Sequence, residues 1–429
     1  MTRDLLLALG LLMSAASQLR PTGAKIGPSE ACLVLWLLLM LGREAGRLGP
    51  PLTPVLSRLI MFWLLFALAQ CIGTLTGYSI GDSHDPDLFL HDVLAYPLLA
   101  AVSLLSVVEP GASCRLQRVA WHMVWLGAPF LALQLSHAFG LVAVASIDPW
   151  YWDRLRGWSE NPNQLALFCT VLGLLSLHLA GSAARFWSRA IAIGCAVLSA
   201  VVGRLTKSDT FSLVLVAAGP IFVGIKLREW LVSPKELTLA AACASTLTLA
   251  LPLLLAATVP LTYSISVQAE GLAKGSPKGT EREALLRFHA WKEAINRGLE
   301  SGMLGLGPGP HIEIPPEIVA ARQTTKDDPK NLEHPSLNSA PNFEAHNTLL
   351  DLFTQGGLLA VLSFIWLMAT SLSTTYRAKC AALTTLICGL AVFSIFHLIV
   401  RHPLFWFATG FCLVAGHQTG RADDVRTRS

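Results

Sequence analysis

Residues 59–79 read LIMFWLLFALAQCIGTLTGYS and contain no charged side chain. A helix needs about 20 predominantly apolar residues to cross the hydrocarbon core of a bilayer. Apolar blocks of this kind, each about 15–25 residues long and ended by a short polar break, recur along the chain. The pattern predicts an all-α polytopic membrane protein.

The composition excludes several other classes of protein. Of the 429 residues, 53% are hydrophobic and only 14% are charged, whereas soluble domains carry about 25% charged residues. The nine cysteines fall mostly inside apolar blocks and leave the longest polar segment empty, which argues against a disulfide framework. The net charge of +4 comes without a long basic tract, so nucleic acid is not an expected partner.

The apolar blocks predict about twelve transmembrane helices. They lie near residues 4–19, 30–42, 59–79, 91–108, 119–145, 163–180, 189–203, 210–226, 237–264, 346–370, 381–400 and 403–418. Lysine and arginine concentrate in cytoplasmic loops. With a cytoplasmic N-terminus, sixteen basic residues lie on the cytoplasmic side and seven in the short outer loops. We therefore expect both termini in the cytoplasm.

This topology leaves one long segment, residues 266–345, on the outer face. It contains a helical stretch, Glu281–Leu299, and its length favours a lid or rim that packs on the membrane domain. The predicted organisation is spans one to nine in 1–265, the outer loop with an amphipathic helix in 266–345, spans ten to twelve in 346–418, and a cytoplasmic tail in 419–429.

Charged side chains close to membrane spans need partners or water, and three polar clusters on the predicted outer face meet this description. The first is Arg204-Leu205-Thr206-Lys207-Ser208-Asp209, a tight hairpin between two apolar blocks. Its two cations and its hydroxyl groups suit a phosphate group. A solvated turn with an internal pair between Lys207 and Asp209 explains the same residues equally well.

The second cluster runs from Glu281 to Trp291. In a helix, Arg287 lies one turn from both Glu283 and Trp291. From the residues alone, the favoured interpretation is an interfacial amphipathic helix with its tryptophan at the headgroup level. A guanidinium held by Glu283 at that depth would also clamp a diphosphate.

The third cluster is Glu344-Ala345-His346-Asn347-Thr348, where the long loop returns to the membrane. Asn347 or Thr348 can cap the following helix, which leaves His346 as a boundary residue without a task. The helix N-terminus also favours an anion, and a neutral histidine beside it can act as a base. Asp351, inside the next span, should face protein or water.

Other candidates are weaker. The turn Gly305–Pro310 lacks the Lys-Ser/Thr pair of a nucleotide-binding loop. An acidic region is more simply a solvated loop than a divalent-cation site; it contains Asp82, His84, Asp85, Asp87, His91 and Asp92. Three intramembrane histidines are more simply satisfied residues of the bundle than a proton relay; they are His137, His178 and His397.

Three ordered motifs resemble the O-antigen ligase and polysaccharide polymerase superfamily. They are Glu160-Asn161-Pro162-Asn163-Gln164-Leu165-Ala166, then Arg287-Phe288-His289-Ala290-Trp291-Lys292-Glu293-Ala294-Ile295 followed by Leu304-Gly305-Leu306-Gly307-Pro308-Gly309, and finally Ala345-His346-Asn347-Thr348-Leu349-Leu350-Asp351 leading to Gly356-Gly357-Leu358. The resemblance covers about residues 155–370. It implies a GT-C-like fold in the bacterial inner membrane with a periplasmic active face.

The resemblance also implies an activity. Members transfer saccharide from undecaprenyl diphosphate to an acceptor glycan or to lipid A–core, without a metal ion or other cofactor, and further polysaccharide assembly proteins are expected partners. Carried over by motif, Arg287 would bind the donor diphosphate and His346 would activate the acceptor or hold the diphosphate. Further diphosphate- or substrate-binding residues would be Arg204, Lys207, Arg282, Asn347, Trp291 and Asn163.

One departure from the family pattern bears on the reaction. Members often carry a Ser-Arg pair at a span end, but here Ser208 is followed by Asp209, so Arg204 or Lys207 would have to substitute. This departure and the modest outer loop favour a polymerase over a ligase. A lipid-linked saccharide flippase, an ion-coupled transporter and a catalytically silent subunit of an assembly complex are the alternatives from other classes.

Overall fold

The computed structural model of the chain describes residues 2–20, 26–44, 52–82, 86–108, 111–144, 147–151, 153–232, 278–312 and 344–428. The α-helices in this part are α1 (Thr2–Met13), α2 (Pro28–Glu44), α3 (Pro54–Ile80), α4 (Pro86–Val107), α5 (Ala112–Ala138), α6 (Pro162–Ser182), α7 (Phe186–Leu205), α8 (Asp209–Val232), α9 (Lys278–Glu300), α10 (Thr348–Arg377), α11 (Ala381–Phe396) and α12 (Pro403–Arg428). A two-stranded antiparallel hairpin, β1 (Trp150–Tyr151) with β2 (Arg154–Leu155), was not predicted.

Every predicted span has a helix at its place in the described residues except the ninth, residues 237–264, which lies outside them. Seven of the described helices, α3 to α8 and α10, are long and apolar enough to cross a membrane. α11 is apolar but has only 16 residues. An all-α membrane protein is therefore supported, while the total of twelve spans and their orientation stay predictions.

The prediction for the fifth span, residues 119–145, was wrong at both ends, because α5 covers Ala112–Ala138. Its first turns carry Arg115 and Arg118, and such charges are typical of a loop. In the structure Arg115 is buried and donates to the carbonyl oxygens of Leu105, at 3.1 Å, and Ser106 at the end of α4. Arg118 pairs with Asp4 of α1 at 2.7 Å.

Proline marks the start of many helices, because its fixed φ suits the first turn and its missing N–H has no partner there. The helices that begin at proline are α2, α3, α4, α6 and α12. Thr53 caps α3 by accepting from Leu56 N at 3.2 Å, and Asn161 caps α6 by accepting from Asn163 N at 2.8 Å. These caps fix where each span meets its loop.

An aromatic cluster joins α3, α4 and α12. The rings of Trp63 and Trp406 lie 4.3 Å apart, and Phe66 meets Tyr96 edge-on at 4.9 Å. Phe62 completes the cluster against Trp406 at 5.2 Å. Lipid tails are as apolar as these rings, so close packing rather than escape from water holds such helices together.

A glycine-rich loop after α9 inserts against a kink in α10. Gly357 interrupts the helix with φ 62° and ψ −159°, which a residue with a Cβ rarely adopts. Leu306 N and Gly307 N donate to the carbonyls of Thr354 and Gln355 at 2.7 and 2.8 Å. This backbone pairing accounts for the glycines of the Gly305–Pro310 turn without a nucleotide.

α9 confirms the predicted helical stretch Glu281–Leu299 and packs on α10. A Cβ at Gly298 would lie 2.2 Å from the ring of Phe353, so this helix position requires glycine. Farther along, Trp291 Nε1 donates to the carbonyl of Ala345 at 3.0 Å. α9 is thereby attached to the loop that precedes α10.

Candidate functional site

The predicted site residues of the described bundle lie at one end, here called the polar end, where α3, α7 and α11 finish and α4, α6, α8, α10 and α12 begin. Thr348, at the start of α10, donates to the carbonyl of His397 at 2.5 Å and accepts from Ile399 N at 3.1 Å. His397 Nε2 lies 3.1 Å from the hydroxyl of Thr210 on α8. These contacts bring three helix ends together.

His346 lies in a turn that the start of α10 holds in place. The carboxylate of Asp351 accepts from Ala345 N at 2.7 Å and from Asn347 N at 3.1 Å. The backbone of His346 has φ 51°, an uncommon value for a residue with a side chain. The side chain is 55% exposed, so the turn presents an imidazole at the surface of the polar end.

Asn347 caps α10, one of the two roles that the sequence offers for it. Its side-chain oxygen accepts from Leu349 N at 3.0 Å and from Leu350 N at 3.2 Å. The residue is 7% exposed. This oxygen is therefore engaged by the helix, and substrate binding by Asn347 stays a prediction.

Arg401 joins two carboxylates from distant parts of the chain. Its Nη1 donates to Glu344 Oε1 and its Nη2 donates to Asp92 Oδ2. Asp92 is 1% exposed and also accepts from Gly309 N at 3.1 Å. The pKa of Arg401 is raised, because the attraction of Glu344 and Asp92 outweighs burial, which alone would lower it.

Glu344 stays ionised in this arrangement. Burial alone would raise its pKa, but the guanidinium of Arg401 and the ring of His346 together lower it. Its second oxygen, Oε2, lies 4.0 Å from His346 Nδ1. An ionised carboxylate thus connects Arg401 to the predicted catalytic histidine.

α9 reaches the loop of His346. Arg287 is half-buried on α9, one turn before Trp291, whose indole N–H donates to the carbonyl of Ala345 next to His346 at 3.0 Å. Burial lowers the pKa of the nearby His397 to about 3, and His346, Arg287 and Arg154 act in the same direction. The site roles of Arg287 and His346 stay predictions.

Arg154 is a functional candidate that the sequence reasoning missed. From β2, its Nε donates to the carbonyl of Thr206 at 3.1 Å, and its Nη2 donates to Asn163 Oδ1 at 3.2 Å. Its guanidinium thus bridges the turn after α7 and the start of α6. The side-chain oxygen of Asn163 serves this arginine, while substrate binding by Asn163 stays a prediction.

Arg204 and Lys207 have protein partners in the structure. Arg204 donates to Ser212 Oγ, one turn into α8. Lys207, with φ 48°, pairs with Asp153 in the hairpin. The alternative pairing of Lys207 with Asp209 was therefore wrong, because the left-handed turn directs the lysine to the hairpin between β1 and β2. The diphosphate role of Arg204 and Lys207 stays a prediction.

Trp291 and Arg282 complete the predicted set. Trp291 is half-buried, and its indole N–H contacts the loop of His346 through Ala345. Its ring centre lies 6.0 Å from that of Phe288. The side chain of Arg282 lies outside the described residues, as does that of Glu283.

The acidic region after α3 pairs with cations of the chain. Asp82 accepts from His311 Nδ1 at 2.9 Å and lies 3.7 Å from Arg297 Nη2, and Asp92 pairs with Arg401. Among the described residues, no three His, Cys, Asp or Glu side chains form a group that could hold a metal. His84 and Asp85 lie outside those residues.

Arg401 is the second functional candidate that was missed, and a signal for it exists in the sequence. The predicted spans 381–400 and 403–418 leave only Arg401 and His402 between them. A connection of that length holds an arginine close to the hydrocarbon region, where a charge needs a partner. The identity of the partners could not be read from the spacing.

A family comparison bears on the region that contains most of these residues. Residues 194–365 match a family model described as O-antigen ligase, and this stretch includes Arg204, Arg287, His346 and Asp351. None of the curated proteins compared with the chain matches it. The match over residues 194–365 is in line with the resemblance of the three motifs to the O-antigen ligase and polysaccharide polymerase superfamily.

Proposed function

We propose that the protein is a membrane glycosyltransferase that passes saccharide from an undecaprenyl diphosphate-linked donor to an acceptor hydroxyl, and that it acts as a polymerase of surface polysaccharide. The observation that supports this proposal most strongly is the contact between α9 and the loop of His346: Trp291, one turn after Arg287, donates to the carbonyl of Ala345 at 3.0 Å. Arg287 and His346 both lie in the stretch that matches the O-antigen ligase family model. The proposed location is the bacterial inner membrane, with the polar end on the periplasmic face.

The leaving group decides what chemistry such a site must supply. In the transfer, the acceptor oxygen forms a bond to the anomeric carbon while the bond from that carbon to the diphosphate oxygen breaks. The electron pair leaves with the diphosphate, which needs charge stabilisation rather than protonation. Arginine suits this task because its planar fork matches phosphate oxygens, and Arg287 and Arg154 are the proposed donors.

His346 would take the proton of the acceptor hydroxyl. An exposed imidazole whose ordinary pKa lies near neutral pH can do so during the attack. The turn held by Asp351 meets α9, the helix of Arg287, where Trp291 donates to the carbonyl of Ala345. In this proposal the base and the diphosphate donors serve one reaction centre.

The carboxylates near this centre favour arginine over a metal ion as the diphosphate partner. Glu344 and Asp92 pair with Arg401, and Asp351 accepts two backbone N–H groups. Their oxygens are thus engaged in holding the polar end together. In this proposal a metal ion is not needed, because the positive charge comes from side chains.

Polymerase and ligase differ in the acceptor. The match to the O-antigen ligase family favours a ligase, which would use lipid A–core. The replacement of the Ser-Arg pair by Ser208-Asp209 favours a polymerase, which would use the end of another lipid-linked repeat unit. We give the polymerase precedence and keep the ligase as the second candidate.

Glycan chain length in a deletion strain tests the proposal. The strain is complemented with the wild type, Arg287→Ala, His346→Ala, or Lys292→Ala, whose exposed lysine also lies on α9 and serves as a control. A polymerase predicts single repeat units in the deletion strain and long chains after complementation with the wild type and the control alone.

Other outcomes have distinct meanings. Long chains that accumulate on the lipid diphosphate without reaching lipid A identify a ligase. Glycan that is unchanged in every strain contradicts a glycosyltransferase and favours the transporter. Restoration of long chains by both Arg287→Ala and His346→Ala would support a protein without catalytic activity.

A further inference from the structure

Glu344 occupies a position between a fixed arginine and the proposed base. Its Oε1 accepts from Arg401, and its Oε2 lies 4.0 Å from His346 Nδ1. We propose that Glu344 is a positioning residue for His346: anchored by Arg401, its carboxylate orients the imidazole and stabilises the cation formed when His346 takes a proton. The proposal rests on the proposed function, since it assigns Glu344 a task in that reaction.

The anchor of Glu344 is rigid because Arg401 has a second partner. Arg401 Nη2 donates to Asp92, which is nearly fully buried on α4 and also accepts from Gly309 N at 3.1 Å. Movement of Glu344 away from His346 would break its pair with Arg401. The carboxylate is therefore held at a fixed place relative to the helix bundle.

The other side of the pair is fixed by the turn itself. Asp351 accepts from the backbone N–H groups on both sides of His346, at 2.7 and 3.1 Å. The histidine backbone therefore keeps its position relative to α10. With both backbone and carboxylate held, Nδ1 of the imidazole faces a carboxylate whose position is fixed.

The charge of Glu344 determines which ring nitrogen carries the proton. A carboxylate close to Nδ1 favours the tautomer with hydrogen on Nδ1 and the lone pair on Nε2. When Nε2 takes the proton of an acceptor hydroxyl, the same carboxylate stabilises the resulting imidazolium. The pair thus combines the orientation of the base with the stabilisation of its charged form.

Several other charged groups face this pair, and they oppose or support its effect. Arg287 and Arg154 act together with His346 on His397. Arg401 and His91 act on Glu344, and Asp351 shares the loop. Because most of these neighbours are cations, Glu344 is the acidic group placed to offset them at the ring.

The test measures how easily His346 is protonated, without requiring the reaction. Diethyl pyrocarbonate modifies the neutral imidazole, so its rate at one histidine follows deprotonation. The full chain in detergent micelles is treated across pH 5 to 9, and the peptide with His346 is quantified by mass spectrometry. His289 on α9, half-buried, serves as the internal reference in each sample.

We compare the wild type with Glu344→Gln and with Glu300→Gln, in which the same change removes an exposed carboxylate from the end of α9. The midpoint is the pH at which modification of a histidine reaches half of its maximal rate. Because a neighbouring carboxylate favours the imidazolium, we expect this midpoint at His346 to fall by about one pH unit in Glu344→Gln. The midpoint should stay unchanged in Glu300→Gln. An unchanged midpoint in Glu344→Gln overturns the proposal.

A second variant covers the case in which Glu344→Gln fails to fold, as judged by size-exclusion chromatography. Glu344→Asp keeps the charge but withdraws it from the ring, so we expect a midpoint between those of the wild type and full removal. A wild-type midpoint in Glu344→Asp would then contradict the proposal. If the midpoint shifts in Glu344→Gln but His346→Ala has no effect on glycan, the proposed function is contradicted while the interaction of Glu344 with His346 is supported.

Discussion

Arg401 and Glu344 form an ion pair that links the turn between α11 and α12 to the loop before α10. Asp92 on α4 binds the same guanidinium. Three parts of the chain that are far apart in sequence are therefore joined by one side chain. The position of His346 depends on this junction, because Glu344 precedes it by two residues.

Removal of the Arg401 charge should weaken the fold. Arg401→Gln removes the guanidinium from Glu344 and from the buried carboxylate of Asp92, and breaking a buried ion pair by removing one partner typically costs about 3–5 kcal/mol. We expect a clear fall in the unfolding temperature in detergent. Arg401→Lys should lose less, since it keeps the charge but not the fork that spans both acids. Equal melting of the wild type and Arg401→Gln would contradict the role of the junction.

The kink of α10 should require glycine at position 357. Gly357→Ala places a Cβ in a backbone region that glycine alone adopts readily and 2.1 Å from the carbonyl oxygen of Met303. We expect a loss of at least about 2 kcal/mol and poor expression.

The control is Gly194→Ala in the middle of α7, where a Cβ would meet nothing within 4 Å. It should be neutral or stabilising by about 0.5–1 kcal/mol. We compare the melting temperatures of both variants, measured by fluorescence-detected chromatography. Similar melting temperatures for the two variants would argue against the kink as a structural requirement.

These two cases show what sequence reasoning could and could not reach. The apolar blocks and prolines predicted most helices, since span length and helix starts are local properties. The pairing of Arg401 with Asp92 was out of reach, because contacts between residues 309 positions apart depend on helix packing. Arg287 and His346 were found through motifs, whereas Arg154 lies outside them in a hairpin that was not predicted.

The turn of His346 should depend on the two carboxylate oxygens of Asp351. Both carboxylate oxygens accept backbone N–H groups. In Asp351→Asn, the side-chain NH₂ group replaces one of these oxygens and faces a backbone N–H, so two donors meet. The lost hydrogen bond costs about 1–3 kcal/mol, and His346 leaves its position. We expect glycan synthesis to fall in Asp351→Asn while the protein still inserts and purifies as a monodisperse species. Full complementation by Asp351→Asn would show that the turn tolerates the change.

Arg154 should matter more than the nearby Lys207. Arg154 bridges Thr206 and Asn163, whereas Lys207 forms an exposed pair with Asp153 that contributes at most about 1 kcal/mol. We expect Arg154→Gln to abolish long glycan chains and Lys207→Gln to retain most of them. Complementation of the deletion strain, with protein levels checked by immunoblot, provides the measurement. If Lys207→Gln abolishes long chains and Arg154→Gln retains them, the diphosphate would instead be assigned to the turn after α7.

His397 should make the fold sensitive to acid. Its pKa is lowered to about 3, chiefly by burial, while an unfolded chain has the ordinary value of about 6.5. Between these values the unfolded state binds more protons, so stability falls as the pH falls from 6.5 toward 3. The loss reaches about 2 kcal/mol at pH 5 for this residue alone. In His397→Gln, an amide can keep the contact with Thr210 and does not titrate, so melting temperatures from pH 7 to 5 should fall less steeply than in the wild type. Parallel pH profiles would mean that the histidine does not remain neutral in the folded protein.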